Sequence, residues 1–368
     1  MHILCGFLTD WRNKMAARTR TKPLSDQIKN HVKNGKEEKE EELKGNFDTV
    51  ISSGSTLLDL AISGKRVRGG GFPGGVLVEG FGPSQSGKTA LLSEIAGNIE
   101  RQKGENQFHD PEARLDEEFA RIFGMHIPKK NYFRPDTVTE LFKQARAWEP
   151  ENDSKFSIIN GIFADSLAAL STEMEMGNED GDKMGMRRAK EFSEELRKFC
   201  RIIKQKNYLM ICSNQIRINT DANKYSPKYT TPGGEAVKFY ASIRLKFNNP
   251  KKITEELTFK GKKIEKVIGI ETEIEVVKSV DEPYRTAPLI IIYGYGIDDI
   301  RANLQYIKKY TGSSIYTLNG ENLNVSMEKS IQMIEKDPKL ITELKNEVID
   351  LWELIDGKFD SNRKKIRL

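Results

Sequence analysis

The run VLVEGFGPSQSGKTALL at residues 76–92 constrains the fold more than any other stretch. Apolar residues stop at Gly80, and Gly82-Pro83-Ser84-Gln85-Ser86-Gly87-Lys88-Thr89 follows, opening a helix-forming segment over Thr89–Glu100. The spacing satisfies G-x-x-x-x-G-K-[ST] in full, with a strand before it and a helix after it. Glycines let backbone N–H groups turn inward and cradle anionic oxygens. The helix N-terminus adds a favourable dipole. Lys88 is placed to reach β- and γ-phosphates, and the Thr89 hydroxyl to ligate Mg²⁺. Gly82 through Thr89 are therefore the expected contacts to a nucleoside triphosphate. A glycine-rich turn with a chance lysine is the competing reading, and the strand–loop–helix context argues against it.

A phosphate loop needs carboxylates. Asp165, followed by Ser166, closes the apolar run INGIFADS and is placed to hold the metal's water shell. A second carboxylate should polarise the attacking water. Glu112, in HDPEARLD, is the best candidate. From spacing alone it reads equally as a surface glutamate at a helix start, because Asp-Pro-Glu is a common N-terminal signature.

Candidate buried strands are Gly75–Phe81, Phe156–Ala164, Tyr208–Ser213, Ala241–Phe247, Val267–Lys278 and Ala287–Tyr293. The second and third are continuous apolar runs, as central strands covered on both faces require. Between them, Phe192, Leu196, Phe199, Cys200 and Ile203 recur at helical spacing within Arg187–Lys206. Strands alternating with helices predict an α/β domain with a mostly parallel central sheet, and the closer later strands an antiparallel extension. Near residue 298 the pattern changes: Met327–Ile334 and Leu340–Ile355 read as helices separated by Asp337-Pro338, with Leu344, Val348, Leu351 and Ile355 on one face. The expected organisation is a polar arm over 1–46, an ATPase core over 47–297, a small α-rich C-terminal domain over 298–356, and a basic tail over 357–368.

The 368 residues exceed what one compact core usually needs, and 37% hydrophobic with 31% charged residues suits a soluble chain with a core. No apolar run approaches the roughly 20 residues that span a bilayer. A net charge of +5 permits a nucleic-acid partner without demanding one. Cys5, Cys200 and Cys212 are widely spaced, with no CxxC, so neither a disulfide framework nor a zinc site is expected, and a cytoplasmic setting fits. The apolar start MHILCGFL lacks a basic n-region and is short for a signal peptide. MAARTRTKPLSD, from Met15, reads as a more ordinary polar terminus and an alternative start. KEEKEEELK at 36–44 reads first as a solvated charge run, and alternatively as part of an arm that docks on a neighbouring subunit.

Residues 217–238 carry Arg217, Lys224, Lys228 and Lys238 with Tyr225 and Tyr229 interleaved. Positive charge can track a phosphate backbone, and rings can stack on bases without reading sequence. A polar loop of this length inside a compact domain is unusual unless functional. By itself it is equally a nucleic-acid loop or an ordinary surface loop.

Several segments together resemble the RecA recombinase family. ISSGSTLLDLAISG (51–64) and GGGFPGGVLVEGFGPSQSGKT (69–89) are similar to its approach to the ATP site. HDPEARLD (109–116), FADSLAAL (163–170) and MGMRRAKEFSEELRKF (184–199) follow in the family's order. NQIRINTDANKYSPKYTTPGGEAVKFYASIRLKF (214–247) is the most specific, and IYTLNGENLNVSMEKSIQMIEKDPKLITELKNEV is similar to the family's C-terminal domain. The resemblance covers roughly residues 47–356. It implies a RecA-like P-loop NTPase core and an ATP- and Mg²⁺-dependent ATPase stimulated by single-stranded DNA. It also implies self-association into filaments or rings, with homologous duplex DNA as second partner in pairing and strand exchange during recombination and repair.

The resemblance assigns roles position by position. Glu112 becomes the catalytic carboxylate, with Lys88. Asp116 and Phe119 fall where the family contacts adenine. Asp165 with Ser166 closes the metal side. Gln215 matches the glutamine that senses the γ-phosphate, and Arg217 through Gly234 the second DNA-binding loop, including Lys224 and Lys228. Gly233 and Gly234 would approach phosphates, and Arg197 would contact DNA. Lys238, Phe239 and Arg244 match a subunit-interface stretch.

Departures accompany the matches. Where the family has two lysines reaching the neighbour's ATP, VVKSVDEPYR keeps Lys278 but has Val280, leaving Lys278 or Arg285 to serve. The strand before Glu112 is polar and about one residue short, the first DNA loop (173–183) is short and acidic, the Lys65–Gly71 insertion is long, and the C-terminus is basic rather than acidic. These suit a divergent, phage-type member. The missing second lysine and the acidic first loop also keep open a RecA-fold regulator without strand exchange; a hexameric helicase or packaging motor on the same core ranks last, because no helicase domain is evident and the C-terminal region resembles a recombinase's.

Overall fold

The computed structural model describes residues 47–152, 158–172, 184–218 and 229–360. Val50–Ile51 (β1) pairs antiparallel with Phe72–Pro73 (β2) around the buried helix Thr56–Ser63 (α1). Val76–Gly82 (β3), Lys88–Arg101 (α2), Asn106–His109 (β4), Glu117–Ile122 (α3), Tyr132–Phe133 (β5) and Val138–Ala147 (α4) follow. Next come Asn160–Ala164 (β6), Met184–Gln205 (α5), Tyr208–Gln215 (β7), the paired Arg217–Ile218 (β8) and Tyr229–Thr230 (β9), and Gly234–Tyr240 (α6). Ile243–Phe247 (β10), Lys251–Phe259 (β11), Lys262–Lys278 (β12), Arg285–Ile292 (β13) and Gly296–Ile297 (β14) lead to Asp299–Thr311 (α7). Thr317–Leu318 (β15), Glu321–Asn322 (β16), Met327–Glu335 (α8) and Pro338–Asp356 (α9) complete the described chain.

The main sheet runs β14-β13-β12-β10-β3-β7-β6-β4-β5, with β11 on β12. From β10 to β5 every neighbour is parallel. Beyond β10 the pairing turns antiparallel. The fold is thus α/β with a parallel centre and an antiparallel extension, as the strand spacing predicts. Alternation along the central strands serves two cores. Leu77, Ile162 and Met210 face the layer of α4 and α5, while Val78, Phe163 and Ile211 face that of α1 and α2. Burial on both faces explains why these strands read as continuous apolar runs.

Two strands escape periodicity. β4 reads Asn-Gln-Phe-His and is buried throughout. Its polar groups are paired locally in part: Asn106 Nδ2 donates to Ala96 O at 2.9 Å and His109 Nε2 meets Gln107 Oε1 at 3.1 Å, while Asn106 Oδ1 is buried with no hydrogen-bond partner among the described residues. Burial pushes the His109 imidazole down to about 3, so it stays neutral. β11 is exposed along almost its whole length and forms a hairpin with the exposed start of β12, so no core imposes a pattern on it. The expected strand start at Phe156 lies outside the described residues, as does the first DNA loop.

In the C-terminal part, Asp337 caps α9 with Pro338 as its first residue, which is why the dipeptide separates two helices. Leu344, Val348 and Leu351 of α9 join the same core as Leu58 of α1 and Leu304 of α7. The 65–71 insertion docks there too. Arg68 reaches Asp350 at 2.9 Å and Glu353 at 3.2 Å, and Lys65 reaches Glu282 and Asp360, each at 2.9 Å. No helix among the described residues is long and apolar enough to cross a membrane.

Candidate active site

The phosphate loop turns between the C-terminal end of β3 and the start of α2, at the sheet's parallel centre. Gly87 caps α2 in the left-handed region, φ 91°. A Cβ there would lie 2.5 Å from Ile291 Cδ1, so backbone and packing both demand glycine. Gly82 is fixed by packing alone: a Cβ would lie 2.5 Å from Phe247 O. Lys88 is nearly buried, and its Nζ donates to Pro83 O at 2.6 Å and Gly82 O at 3.2 Å, within the loop. Burial lowers its pKa, while Asp165 and Glu112 act in the opposite sense.

Three strand ends converge on this loop. Thr89 Oγ1 donates to Asp165 Oδ2 at 2.6 Å. The other Asp165 oxygen accepts the Ser213 hydroxyl at the end of β7. Burial raises the Asp165 pKa, and these two hydroxyl donors counter it. Ser166 Oγ donates to Glu112 Oε1 at 2.8 Å, and Arg114 Nη1 lies 2.6 Å from Glu112 Oε2. The turn bearing Glu112 is shaped by buried Asp110, whose Oδ2 accepts from Leu115 N at 2.8 Å and Tyr132 Oη at 2.7 Å. Lys88, Thr89, Glu112, Asp165, Ser166 and Gln215 line one cleft with Ser84 and Gln85. The Thr89 hydroxyl and the Asp165 carboxylate are hard oxygen donors side by side. Mg²⁺ usually takes one or two protein oxygens and completes its octahedron with phosphate and water, so this pair fits it.

Other expected residues lie elsewhere. Asp116 is exposed and caps α3, its carboxylate accepting Phe119 N at 3.3 Å. Phe119 is half-buried against Phe123, rings 5.0 Å apart. Arg197 is exposed on α5. Arg217 opens β8 opposite Thr230, while Lys224 and Lys228 lie outside the described residues. Gly233 is the left-handed N-cap of α6 and Gly234 its first residue. Lys278 does not enter its own chain's cleft. Its Nζ donates to Lys238 O at 3.1 Å and Phe239 O at 3.0 Å, capping the C-terminus of α6. Phe239 is 76% exposed, and Lys238 pairs with Glu235 on the same helix. Arg244 binds Glu79 at 2.6 Å and lies 4.4 Å over the Phe81 ring. Arg285 is tied to Asp281, Glu282 and Asp356 and stacks on Trp352.

Sequence reasoning passed over Ser213, Asp110, Arg114, Glu79 and Asn214. Ser213 and Asn214 close an apolar run, and Asp110 opens the acidic motif; those were the available signals. Glu79 sits inside an apolar strand and gave none of its pairing.

A model of the RecA N-terminal domain family matches residues 26–298. The chain belongs to the RecA family. It is 32% identical over 308 residues to Protein RecA of Delftia acidovorans, covering 82% of this chain and 78% of that protein. It is 34% identical over 309 residues to Protein RecA of Borrelia duttonii, covering 83% and 80%. The solved RadB recombinase overlays with a TM-score of 0.44 at 20% identity, covering 67% of this chain and 98% of that one. RecA-family members are DNA-dependent ATPases.

Proposed function

We propose that this protein is a recombinase that hydrolyses ATP, binds single-stranded DNA in filaments, and promotes homologous pairing and strand exchange. The observation that carries the reading is the path of β7. Its last residue, Gln215, lines the nucleotide cleft, and Arg217, two residues on, opens the basic segment that returns at Tyr229. A side chain that senses a terminal phosphate is thereby continuous with the candidate DNA loop.

The residues divide the work. Lys88 and the loop N–H groups hold the phosphates. Thr89 and Asp165 would hold Mg²⁺, which would supply neutralising positive charge to the triphosphate. Glu112, steadied by Ser166 and Arg114, orients and polarises the attacking water. Gln215 responds to the γ-phosphate, and the 217–234 loop with Arg197 tracks the DNA backbone. ATP drives the switch only by binding the DNA-gripping state better than the other.

Self-association has a physical basis at the far sheet edge. Among the described residues β5 is paired on one side only, and beside it lies an apolar cavity lined by Leu115, Ala120, Met125, Ile127 and Tyr132. An edge of this kind is open to a segment of a neighbouring subunit, for which the polar 1–46 arm is the candidate. Lys238, Phe239 and Lys278 lie on the opposite flank.

A second reading is a RecA-fold regulator that binds ATP and DNA without exchanging strands. It is favoured by Lys278 capping α6 in its own chain and by Val280 packing against the core. A joint-molecule assay with circular single-stranded and linear homologous duplex DNA separates the two. Strand-exchange products support the recombinase. Filaments without joint molecules support the regulator.

A further inference from the structure

Asn214, fully buried at the end of β7, is fixed by partners from three places in the fold. Its Nδ2 donates to Glu79 Oε1 at 3.0 Å and to Pro232 O at 2.9 Å, and its Oδ1 accepts the Gln215 N–H at 3.0 Å. The partners set the amide's orientation, since carboxylate and carbonyl only accept and a backbone N–H only donates. Glu79 is fully buried on β3, three residues before Gly82, and its other oxygen accepts Arg244 Nε at 2.6 Å. The strand that carries the phosphate loop, the strand that carries Gln215, and the segment closing the candidate DNA loop therefore meet at one side chain.

A buried carboxylate is costly unless its donors stay in place. Glu79 has only Asn214 and Arg244 as hydrogen-bond donors among the described residues. A displacement of Gln215 therefore strains the cluster, unless Pro232 moves with it. Pro232 directly precedes Gly233, the N-cap of α6, and Lys278 holds the other end of that helix. Thr231 Oγ1, next to Pro232, is buried with no hydrogen-bond partner among the described residues. The 231–234 segment thus has an unmet hydrogen bond in this arrangement, which a second arrangement can satisfy.

We propose that Asn214 is a positioning residue that registers the DNA loop and α6 against the nucleotide cleft, with the Glu79–Arg244 pair as its anchor. The proposal rests on the ATPase–DNA reading above and names the side chain through which the two sites communicate.

The test compares the full chain with Asn214→Ala. Affinity for an oligo-dT strand is measured with a non-hydrolysable ATP analogue and with ADP. Backbone hydrogen exchange is followed over 231–241 in the same two states. The wild type should bind DNA more tightly with the analogue, and Asn214→Ala should lose about tenfold of that ratio, within the usual range of coupling between sites. A merely structural role would lower the melting temperature and leave the ratio unchanged, which overturns the proposal. If Asn214→Ala does not fold, wild-type exchange decides. Different protection over 231–241 with analogue and ADP supports the relay, and identical protection overturns it. A wild type whose DNA affinity ignores the nucleotide overturns the ATPase–DNA reading itself. A coupled wild type beside an equally coupled variant overturns only the role of Asn214.

Discussion

Thr89 Oγ1 and Asp165 Oδ2 lie 2.6 Å apart, joining the first turn of the phosphate-loop helix to the end of a strand two places away in the sheet. In the proposed function this contact forms the Mg²⁺ side of the cleft. Thr89→Val keeps the shape and removes the oxygen. ATP turnover should fall by about 10²-fold, a loss typical when one positioned charge-stabilising group is removed. Steady-state kinetics over a Mg²⁺ titration checks this, and excess Mg²⁺ should not restore the rate.

Glu112→Gln retains the hydrogen bond from Ser166 and removes the carboxylate that, in the proposed function, polarises the attacking water. The turnover number should drop by about 10²- to 10⁴-fold, the usual contribution of a general base, while ATP binding persists. Ser166→Ala keeps the Glu112 carboxyl but leaves it held by Arg114 alone among the described residues, and a smaller loss, on the order of tenfold, is expected. Rapid-quench kinetics with a separate nucleotide-binding measurement distinguishes the two.

Glu347 gives a pH dependence unconnected with catalysis. It is almost fully buried, accepts Asn319 N at 2.7 Å, and burial raises its pKa to about 7 from an ordinary 4.5. The folded protein thus holds a proton that the unfolded chain releases above 4.5. Stability is lost as pH rises through this window, and the loss is complete above about 7. Glu347→Gln should be near neutral at pH 4 and stabilise by about 2–3 kcal/mol at pH 8. Urea unfolding at the two pH values reads this directly.

Lys278→Ala should loosen the C-terminus of α6, costing about 1 kcal/mol for the lost carbonyl partners. Faster amide exchange near Tyr240 and Ala241 in the isolated subunit is the expected signature. The Lys65 and Arg68 bridges to the C-terminal acidic residues are more exposed, and removing either should change stability by no more than about 1 kcal/mol.

The phosphate loop, Asp165 and the central strands were legible because each obeys a local rule: a spacing, a strand-end carboxylate, an unbroken apolar run. β4 has no apolar pattern, because Asn106, Gln107 and His109 are buried in it with polar partners, so only the resemblance pointed to a strand before Glu112. β11 was hidden because Ile253 alone along it packs against the core among the described residues, too little to impose a pattern. Glu112 was ambiguous in sequence because Ser166, which steadies it, is distant along the chain and adjacent only after β4 and β6 pair. The same holds for Glu79, Arg244 and Asn214, whose association follows from the β10-β3-β7 order and from no short motif. Arg244 is an interface candidate by resemblance. Within one chain it is occupied by Glu79, a partner that residue spacing does not announce.

The measurement that bears most directly on the account is ATP hydrolysis with and without single-stranded DNA, beside a Lys88→Ala control. Turnover should be strongly stimulated by DNA in the wild type and not at all in the control. Turnover in the wild type that is indifferent to DNA would contradict it.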